Sequence, residues 1–219
     1  SGKSISKIED LIEVLDQRHA YFHEAGCKAS DHGLERMYYT PDFRSGAGKS
    51  FEKLRAGKGL TDEETESYRT FVMYELCKMN HKRGWVQQFH LGAMRNNNTR
   101  MFKKLGADVG FDSIGNSQDG HKISRFLDLL DNEDKLAKTI LYNLNPADNE
   151  MFVTMLGNFQ DGRTPGKIQY GAGWWFLDQK VGMEKHLRDL SVLGLTARFV
   201  GMVTDSRSFL SYPRHEYFR

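Results

Sequence analysis

Two histidines and one aspartate lie at the carboxyl ends of segments that read as buried strands. His32 follows the first such segment, His90 ends the second, and Asp205 follows the last. Imidazole and carboxylate groups transfer protons and bind divalent metal ions. If the strands are parallel and close into a barrel, we expect these three side chains to meet at one rim. The alternative is that each is only a hydrogen-bonded loop residue, with Asp205 capping a turn.

Two arginines and a tryptophan lie near these positions. Arg95 follows His90 in a polar segment, and Arg207 comes directly after Asp205-Ser206. A guanidinium group can hold a carboxylate through two parallel hydrogen bonds. We therefore predict an anionic substrate, with surface ion pairs as the alternative for both arginines. Trp174 is expected to line the pocket, whereas its neighbour Trp175 is expected to be structural.

Motifs for nucleotides and for zinc proteases are incomplete in this sequence. Gly48-Lys49-Ser50 resembles the end of a phosphate-binding loop, but Phe43 occupies the position of its first glycine, and Pro41 argues against the strand that such a loop follows. The Ser45–Gly59 segment is therefore predicted to be a mobile loop. Neither HExxH nor HxH occurs in the sequence.

The elements that must position the candidate side chains alternate between strands and helices. Capping boxes at Ser6/Glu9 and Thr61/Glu64 predict two helix starts, and Pro146 suits the first turn of another helix. Further apolar residues at helical spacing predict helices around Ile123–Leu130 and Met183–Leu190. The predicted strands are Cys27–Ser30, Trp85–His90, Thr139–Leu144, Ile168–Gly173 and Phe199–Val203.

This alternation predicts an α/β fold with a parallel sheet and right-handed crossovers. An open doubly wound sheet and a (β/α)8 barrel are both compatible with it. The polar residues at successive strand ends favour the barrel, because barrel enzymes build their sites there. We expect one domain over residues 1–219 that carries about strands 4 to 8 of a TIM barrel and lacks its N-terminal strands.

The charge and cysteine content of the sequence argue against several kinds of partner and location. Lys plus Arg total 31 and Asp plus Glu total 29, so the formal charge of +2 argues against nucleic acid and anionic membranes as partners. No apolar run reaches the length of a membrane span, and we expect no signal peptide. The two cysteines, Cys27 and Cys77, lie too far apart for a CxxC motif, and reduced thiols in the cytoplasm are the simplest interpretation.

Four motifs carry a family resemblance. They are Phe89–Asn98, Tyr170–Trp175, Thr204–Ser208 and Tyr212–Phe218. Together they resemble the uronate (glucuronate) isomerases, a divergent branch of the amidohydrolase superfamily. The resemblance extends over essentially the whole chain. It implies a (β/α)8 barrel that converts D-glucuronate to D-fructuronate and D-galacturonate to D-tagaturonate through a cis-enediol.

The resemblance also implies roles for individual residues. The family uses a divalent metal, expected here to be zinc, although the HxH motif that the family carries on its first barrel strand is absent from this sequence. A hexuronate is the expected small-molecule partner, and a homo-oligomer is a further possibility. The implied roles are catalytic for Asp205 and His90, substrate-binding for Arg207, Arg95 and Trp174, and metal-binding for Asp205 and His32.

Two rival functions remain open at the level of sequence. The same scaffold hosts metal-dependent hydrolases, but these generally place a lysine or further histidines on the middle strands, where this chain has Asn143 and Asn145. The second rival is a non-catalytic piece that folds only by association and would expose sheet edges.

Overall fold

The structure is a computed structural model that describes residues 2–201, 209 and 213. Seven α-helices and six strands occur within these residues, together with three short 3-10 helices at Pro146–Asp148, Trp175–Leu177 and Thr196–Arg198. The helices are α1 Ile8–Glu24, α2 Phe43–Arg55, α3 Asp62–Lys82, α4 Thr99–Leu105, α5 Gly120–Asp131, α6 Asn149–Gly157 and α7 Lys180–Leu193. The strands are β1 Ala29–Leu34, β2 Val86–Leu91, β3 Ala93–Met94, β4 Ser113–Ile114, β5 Thr139–Asn143 and β6 Ile168–Tyr170.

Four of the strands in the described part of the chain form one sheet in the order β1-β2-β5-β6. Strands β5 and β6 are parallel, with Thr139 opposite Ile168 and Leu141 opposite Tyr170. Helices lie between the sheet strands in the chain, as parallel connections require. The predicted α/β fold with a parallel sheet is therefore confirmed. Strands β3 and β4 form a separate antiparallel pair that the sequence patterns did not predict.

The last predicted strand, Phe199–Val203, is not formed where it can be checked. Residues 199–201 are not in a strand, and residues 202–203 lie outside the described residues. The helix expected after Pro213 lies outside them as well, apart from Pro213 itself. Strand β1 begins two residues later than predicted and runs to Leu34, so His32 lies within the strand rather than after it.

Capping confirms one predicted helix start and corrects the other. At α3, the Glu64 amide donates to Thr61 Oγ1 at 3.2 Å, and the Thr61 amide donates to Glu64 Oε2 at 3.0 Å, which is a capping box. At α1, Asp10 rather than Glu9 accepts the hydrogen bonds of Ser6, from its hydroxyl at 2.7 Å and from its amide at 3.0 Å. These bonds hold the pKa of Asp10 well below its usual range.

The predicted loop Ser45–Gly59 was wrong, because α2 occupies most of it. Phe43, Ala47 and Phe51 repeat every four residues and are all buried, so packing of this stripe outweighs the low helix propensity of the glycines. Gly46 is required for close approach to α3. A Cβ on Gly46 would lie 2.5 Å from the Ser67 hydroxyl oxygen, closer than unbonded atoms pack.

Backbone packing divides the chain into two compact units. One comprises residues 1–30, 37–87 and 121–138, and the other comprises residues 31–36, 88–120 and 139–219 as far as these are described. The first unit packs α1, α2 and α3 around an apolar cluster of Ile8, Ala47 and Phe51. The single domain expected over residues 1–219 stays a prediction. Across the described residues, no helix combines the length and apolar character needed to cross a bilayer.

In the second unit, α6 packs against β5, β6 and α7. The core beneath them includes Phe89, Leu141 and Phe152, none of which is exposed to solvent. A buried polar network lies within this core. The Tyr170 hydroxyl is within 2.6 Å of Asn143 Oδ1 and 2.8 Å of Asn149 Oδ1. This network ties β5 and β6 to α6, and so fixes the strand ends on which the candidate site is built.

Candidate active site

A histidine–carboxylate pair joins the ends of β1 and β2. His90 Nδ1 lies 2.7 Å from Asp31 Oδ1, and Asp31 remains half exposed while His90 is mostly covered. A carboxylate only accepts hydrogen bonds, so Nδ1 is the protonated nitrogen of the ring and Nε2 carries the lone pair in the neutral form. Within the part of the chain that the structure describes, no group hydrogen-bonds to Nε2. This pair has the arrangement that general acid–base catalysis uses.

Two aromatic rings fix the position of the His90 imidazole. The Tyr142 ring stacks on it with centroids 4.1 Å apart and planes 9° apart, and the Trp174 ring meets it edge-on at 4.6 Å. Trp174 is itself held by a hydrogen bond from Nε1 to the Asn143 carbonyl oxygen at 3.1 Å. The Tyr142 hydroxyl donates to Gln88 Oε1 at 2.8 Å. Burial, with a contribution from the charge of Asp31, raises the pKa of Tyr142 to about 12, so the phenol stays neutral at physiological pH.

These contacts form a row across the whole sheet. Asp31 lies on β1, His90 on β2, Tyr142 on β5, and Gly171 directly after β6. Adjacent strands are separated by about 4.8 Å, so side chains at one level on one face come into contact. We call Asp31, His90, Tyr142 and Gly171 the His90 row. The parallel order of the strands therefore brings together residues that are far apart in the sequence.

A cavity of about 420 Å³ opens beside the row. It contains both charged and apolar groups, and its size suits a small molecule better than a polymer. Its lining residues come from β1 and the residue after it, the end of β2, β3 and the residue after it, and the segment after β6. They are Asp31, Gly33, Leu34, Glu35, His90, Ala93, Met94, Arg95 and Trp174.

Gly92 lies in the chain between two residues that line this cavity, and it sets the path of the chain from β2 to β3. Its φ of +100° lies in the region that L-residues rarely adopt, and its amide donates to the carbonyl oxygens of Leu34 at 3.3 Å and Glu35 at 3.1 Å. Its own carbonyl oxygen accepts from the Gly115 amide at 2.8 Å. These bonds turn the chain sharply after β2, and Arg95, directly after β3, lines the cavity.

Arg95 lines the cavity and is oriented by acidic and aromatic neighbours. Its Nη1 lies 2.9 Å from Asp108 Oδ1 and 3.8 Å from Asp112 Oδ2, and the guanidinium lies 4.9 Å from the centre of the Trp175 ring. An arginine has five N–H donors, so these contacts leave donors for a ligand. Trp175, expected to be structural, is partly exposed and has a φ of +53°, and Asn96 has a φ of +57°. Such strained backbone often occurs at ligand sites.

His32 lies on the other face of the sheet from the His90 row. Side chains alternate along a strand, so His32 points away from the face that carries its neighbour Asp31. Its ring packs at 5.7 Å from that of Phe89, which is fully buried and precedes His90 on β2. The structure therefore brings His90, Arg95 and Trp174 together but does not bring His32 to them.

Asp205 and Arg207 lie outside the described residues, so their expected roles stay predictions. Within residues 2–201, 209 and 213, no three His, Cys, Asp or Glu side chains come together as metal ligands. The described residues alone do not fit a metal centre. An expected divalent metal would need Asp205 and further ligands beyond those described.

Sequence reasoning missed Asp31 and Tyr142. His32 was chosen in place of its neighbour Asp31, although side chains alternate along a strand and the two therefore point to opposite faces. On β2, the buried Phe89 and Leu91 mark one face and place His90 on the other. Tyr142 alternates in the same way with Leu141 and Asn143, which are buried. What no spacing indicates is that these two residues would contact the same imidazole.

Comparisons with known proteins identify close relatives. The family model described as glucuronate isomerase matches residues 1–219. The uronate isomerase of Bacteroides fragilis is 58% identical over 217 residues, which are 99% of this chain and 46% of that protein. The uronate isomerase of Cellvibrio japonicus is 57% identical over 216 residues, again 99% of this chain and 46% of that protein. The chain thus spans about half the length of these curated relatives.

Solved structures show the same fold. The crystal structure of uronate isomerase from Thermotoga maritima superposes with a TM-score of 0.88 at 37% identity, covering 99% of this chain and 47% of that one. The crystal structure of glucuronate isomerase from Caulobacter crescentus gives a TM-score of 0.84 at 26% identity, covering 100% of this chain and 44% of that one.

Proposed function

The chain belongs to the glucuronate isomerase family, and from that premise we propose that a protein of its relatives' full length that contains it interconverts aldose and ketose forms of hexuronates. The substrates would be D-glucuronate, giving D-fructuronate, and D-galacturonate, giving D-tagaturonate. The observation that carries this proposal is the Asp31–His90 pair beside a cavity of small-molecule size.

The reaction moves a proton between C2 and C1 and moves protons on the neighbouring oxygens as the cis-enediol forms and collapses. A neutral imidazole with Nε2 unbonded within the described residues can take up a hydroxyl proton and return it to the other oxygen. Asp31 keeps the proton of the neutral ring on Nδ1 and stabilises the imidazolium that forms in between. Asp205 remains our candidate for the proton between C2 and C1.

Arg95 and Trp174 are our candidates for holding the substrate within the described part of the site. Arg95 brings a positive charge to the cavity, and Trp174 offers a flat apolar wall next to His90. Arg207 is the proposed partner of the C6 carboxylate, because a guanidinium binds that group in a fixed orientation. Orientation by such contacts supplies a large part of the rate enhancement in reactions of bound substrates.

We further propose that the sheet is part of a (β/α)8 barrel. A parallel sheet with its polar side chains at the carboxyl ends of the strands supports this proposal, since barrel enzymes assemble their sites at that rim. A divalent metal, expected to be zinc, belongs to the same proposal and would polarise the sugar oxygens when bound. His32, expected as a metal ligand, points away from the face of the sheet that carries Asp31 and His90, which argues against it as a ligand beside them.

The remaining expectations on partners and location are part of the proposal. A small anionic sugar is the proposed ligand, in place of nucleic acid or membrane, and the near-neutral charge supports this. Cys27 and Cys77 are both free thiols, which supports a cytoplasmic location. A homo-oligomer remains a proposal that a measured solution mass would test.

The test is to replace His90 by Asn in the full-length protein. The Asn amide nitrogen can still donate to Asp31, but the acid–base nitrogen Nε2 is lost. We expect kcat for ketose formation from D-glucuronate to fall by roughly 100-fold or more, which is the usual contribution of a general acid–base group. His121→Asn, an exposed histidine at the start of α5, is the matched control and should keep its activity.

The possible outcomes distinguish an error in the proposed activity from an error in the role assigned to His90. Absence of uronate isomerisation by the wild-type protein, with amide or ester cleavage instead, would favour the hydrolase alternative. Normal isomerisation by the wild-type protein together with unchanged kcat in His90→Asn would show that the function is right and the assigned acid–base residue is wrong.

A further inference from the structure

We propose that Tyr142 is a positioning residue for His90, and that its ring can take this position only because residue 171 is a glycine. The inference deepens the proposed function and rests on it, since it concerns how the acid–base histidine is held. It assigns Tyr142 and Gly171 to the working site although neither lines the cavity.

The contact with Tyr142 limits the rotation of the His90 ring, which the hydrogen bond to Asp31 alone does not prevent. A single hydrogen bond from Nδ1 fixes one atom of the imidazole but allows the ring to rock about that bond. The Tyr142 ring covers one face of the imidazole at 4.1 Å, and Trp174 closes a second direction at its edge. Stacked over a nearly parallel plane, the imidazole keeps one orientation, and with it the direction of the Nε2 lone pair.

Tyr142 is itself fixed at two points. Its hydroxyl donates to Gln88 Oε1 at 2.8 Å, which holds the far end of the ring. Its other side lies against the backbone of Gly171, where an added Cβ would lie 2.2 Å from both Cδ1 and Cε1. Unbonded carbon atoms do not approach so closely, so any other residue at position 171 must displace the ring.

Neither partner in this contact can move away easily. Tyr142 is held between Gly171 and His90, so a shift away from a new Cβ would press on the imidazole. Gly171 is held by its amide, which donates to the Leu141 carbonyl oxygen at 2.8 Å, and by its carbonyl oxygen, which accepts from His186 Nε2. A methyl group at position 171 is therefore expected to displace His90 through Tyr142.

Four variants of the full-length protein test this inference. Tyr142→Phe keeps the ring and loses only the bond to Gln88, so kcat should fall by less than about 10-fold. Tyr142→Ala and Gly171→Ala should each lower kcat by roughly 10- to 100-fold with little change in KM, because they disturb the aim of a catalytic group rather than substrate binding. In the double variant Gly171→Ala/Tyr142→Ala, the methyl group has no ring to displace.

The double variant gives the decisive result. We expect its kcat to equal that of Tyr142→Ala, because the two residues act through one contact, whereas independent effects would multiply. Gly157→Ala, at the end of α6 where an added Cβ would have no atom within 4 Å, is the matched glycine control and should keep wild-type kcat. Wild-type kcat in Tyr142→Ala, or multiplied losses in the double variant, would overturn the inference. If Tyr142→Ala does not fold, Tyr142→Leu replaces it, and wild-type kcat in that variant counts equally against the inference.

A second measurement does not depend on activity. Because the His90 imidazole stacks on the Tyr142 ring, the ring current should shift the NMR signal of its Hε1 proton upfield in histidine-labelled protein. The shift should persist in Tyr142→Phe and disappear in Tyr142→Ala. If the wild-type protein does not isomerise uronates, the proposed function fails while this spectrum still tests the stack. A His90 signal that is the same in all variants would refute the stack itself.

Discussion

Acidification should destabilise this protein through His186, a buried histidine that contacts Gly171 of the His90 row. His186 is almost completely buried on α7, stacks on Tyr170 at 4.2 Å, and donates from Nε2 to the Gly171 carbonyl oxygen. Burial lowers its pKa to about 4, although the bond to Gly171 and the charge of Asp189 both act to raise it. The folded protein therefore keeps this ring neutral at pH values where an exposed histidine is protonated.

The magnitude follows from the two pKa values. Below about pH 6.5, this histidine is protonated in the unfolded chain, whereas in the folded protein it stays neutral down to about pH 4. The stability is thus fully present above the unfolded pKa and is lost as the pH falls through this window. A displacement of that size corresponds to about 3 kcal/mol, a large part of the 5 to 15 kcal/mol that typically holds a domain folded.

Urea unfolding of the wild type and of His186→Phe measures this loss. Phe keeps a ring against Tyr170 but cannot titrate, and its loss of the bond to Gly171 is the same at both pH values. Between about pH 7.5 and about pH 4.5, the wild type should lose about 2.5 kcal/mol more than the variant, because the folded protein begins to bind the proton near the lower pH. Other groups that titrate contribute to both proteins and cancel. Equal losses in the two proteins, or a His186 pKa near 6.5 by NMR titration, would refute the reasoning.

Two further substitutions have expected outcomes. Asp31→Asn should lower kcat for uronate isomerisation by roughly 10- to 100-fold, because the residue that orients a working histidine typically contributes that much; an unchanged kcat would mean that Asp31 is only a surface partner of His90. Thr61→Ala should lower the free energy of unfolding by about 1 kcal/mol through loss of the α3 capping box, measured by urea unfolding. Thr65→Ala, inside the same helix, is its control, and an equal loss there would remove capping as the explanation.

Most of the regular elements could be predicted from the sequence, because they depend on local patterns. The strand predicted over Trp85–His90 is β2, shifted by one residue, and that over Thr139–Leu144 is β5, shorter by one. The capping box at Thr61 correctly predicted the start of α3, and the apolar stripe around Ile123–Leu130 correctly predicted α5. The resemblance to the uronate isomerases, carried by four long motifs, is confirmed by the family model over the whole chain.

Local patterns failed where tertiary packing outweighs propensity. Glycine and serine in Ser45–Gly59 favour a loop in isolation, yet burial of Phe43 and Phe51 and the close approach at Gly46 make this segment helical. The short strands β3 and β4 are only two residues long, too short for alternation to be recognised. Their pairing depends on a partner about twenty residues away.

The sequence by itself determined the family and the α/β class, and it singled out His90 as a candidate, since these follow from motifs and periodicity that are local to the chain. Only the tertiary structure decided which residues surround that histidine. A one-residue step along β1 exchanges Asp31 for His32 and moves the side chain to the other face of the sheet. The parallel strand order then brought Asp31 to one level with Tyr142 and Gly171, which lie more than a hundred residues after it, a coincidence of register that no sequence spacing expresses.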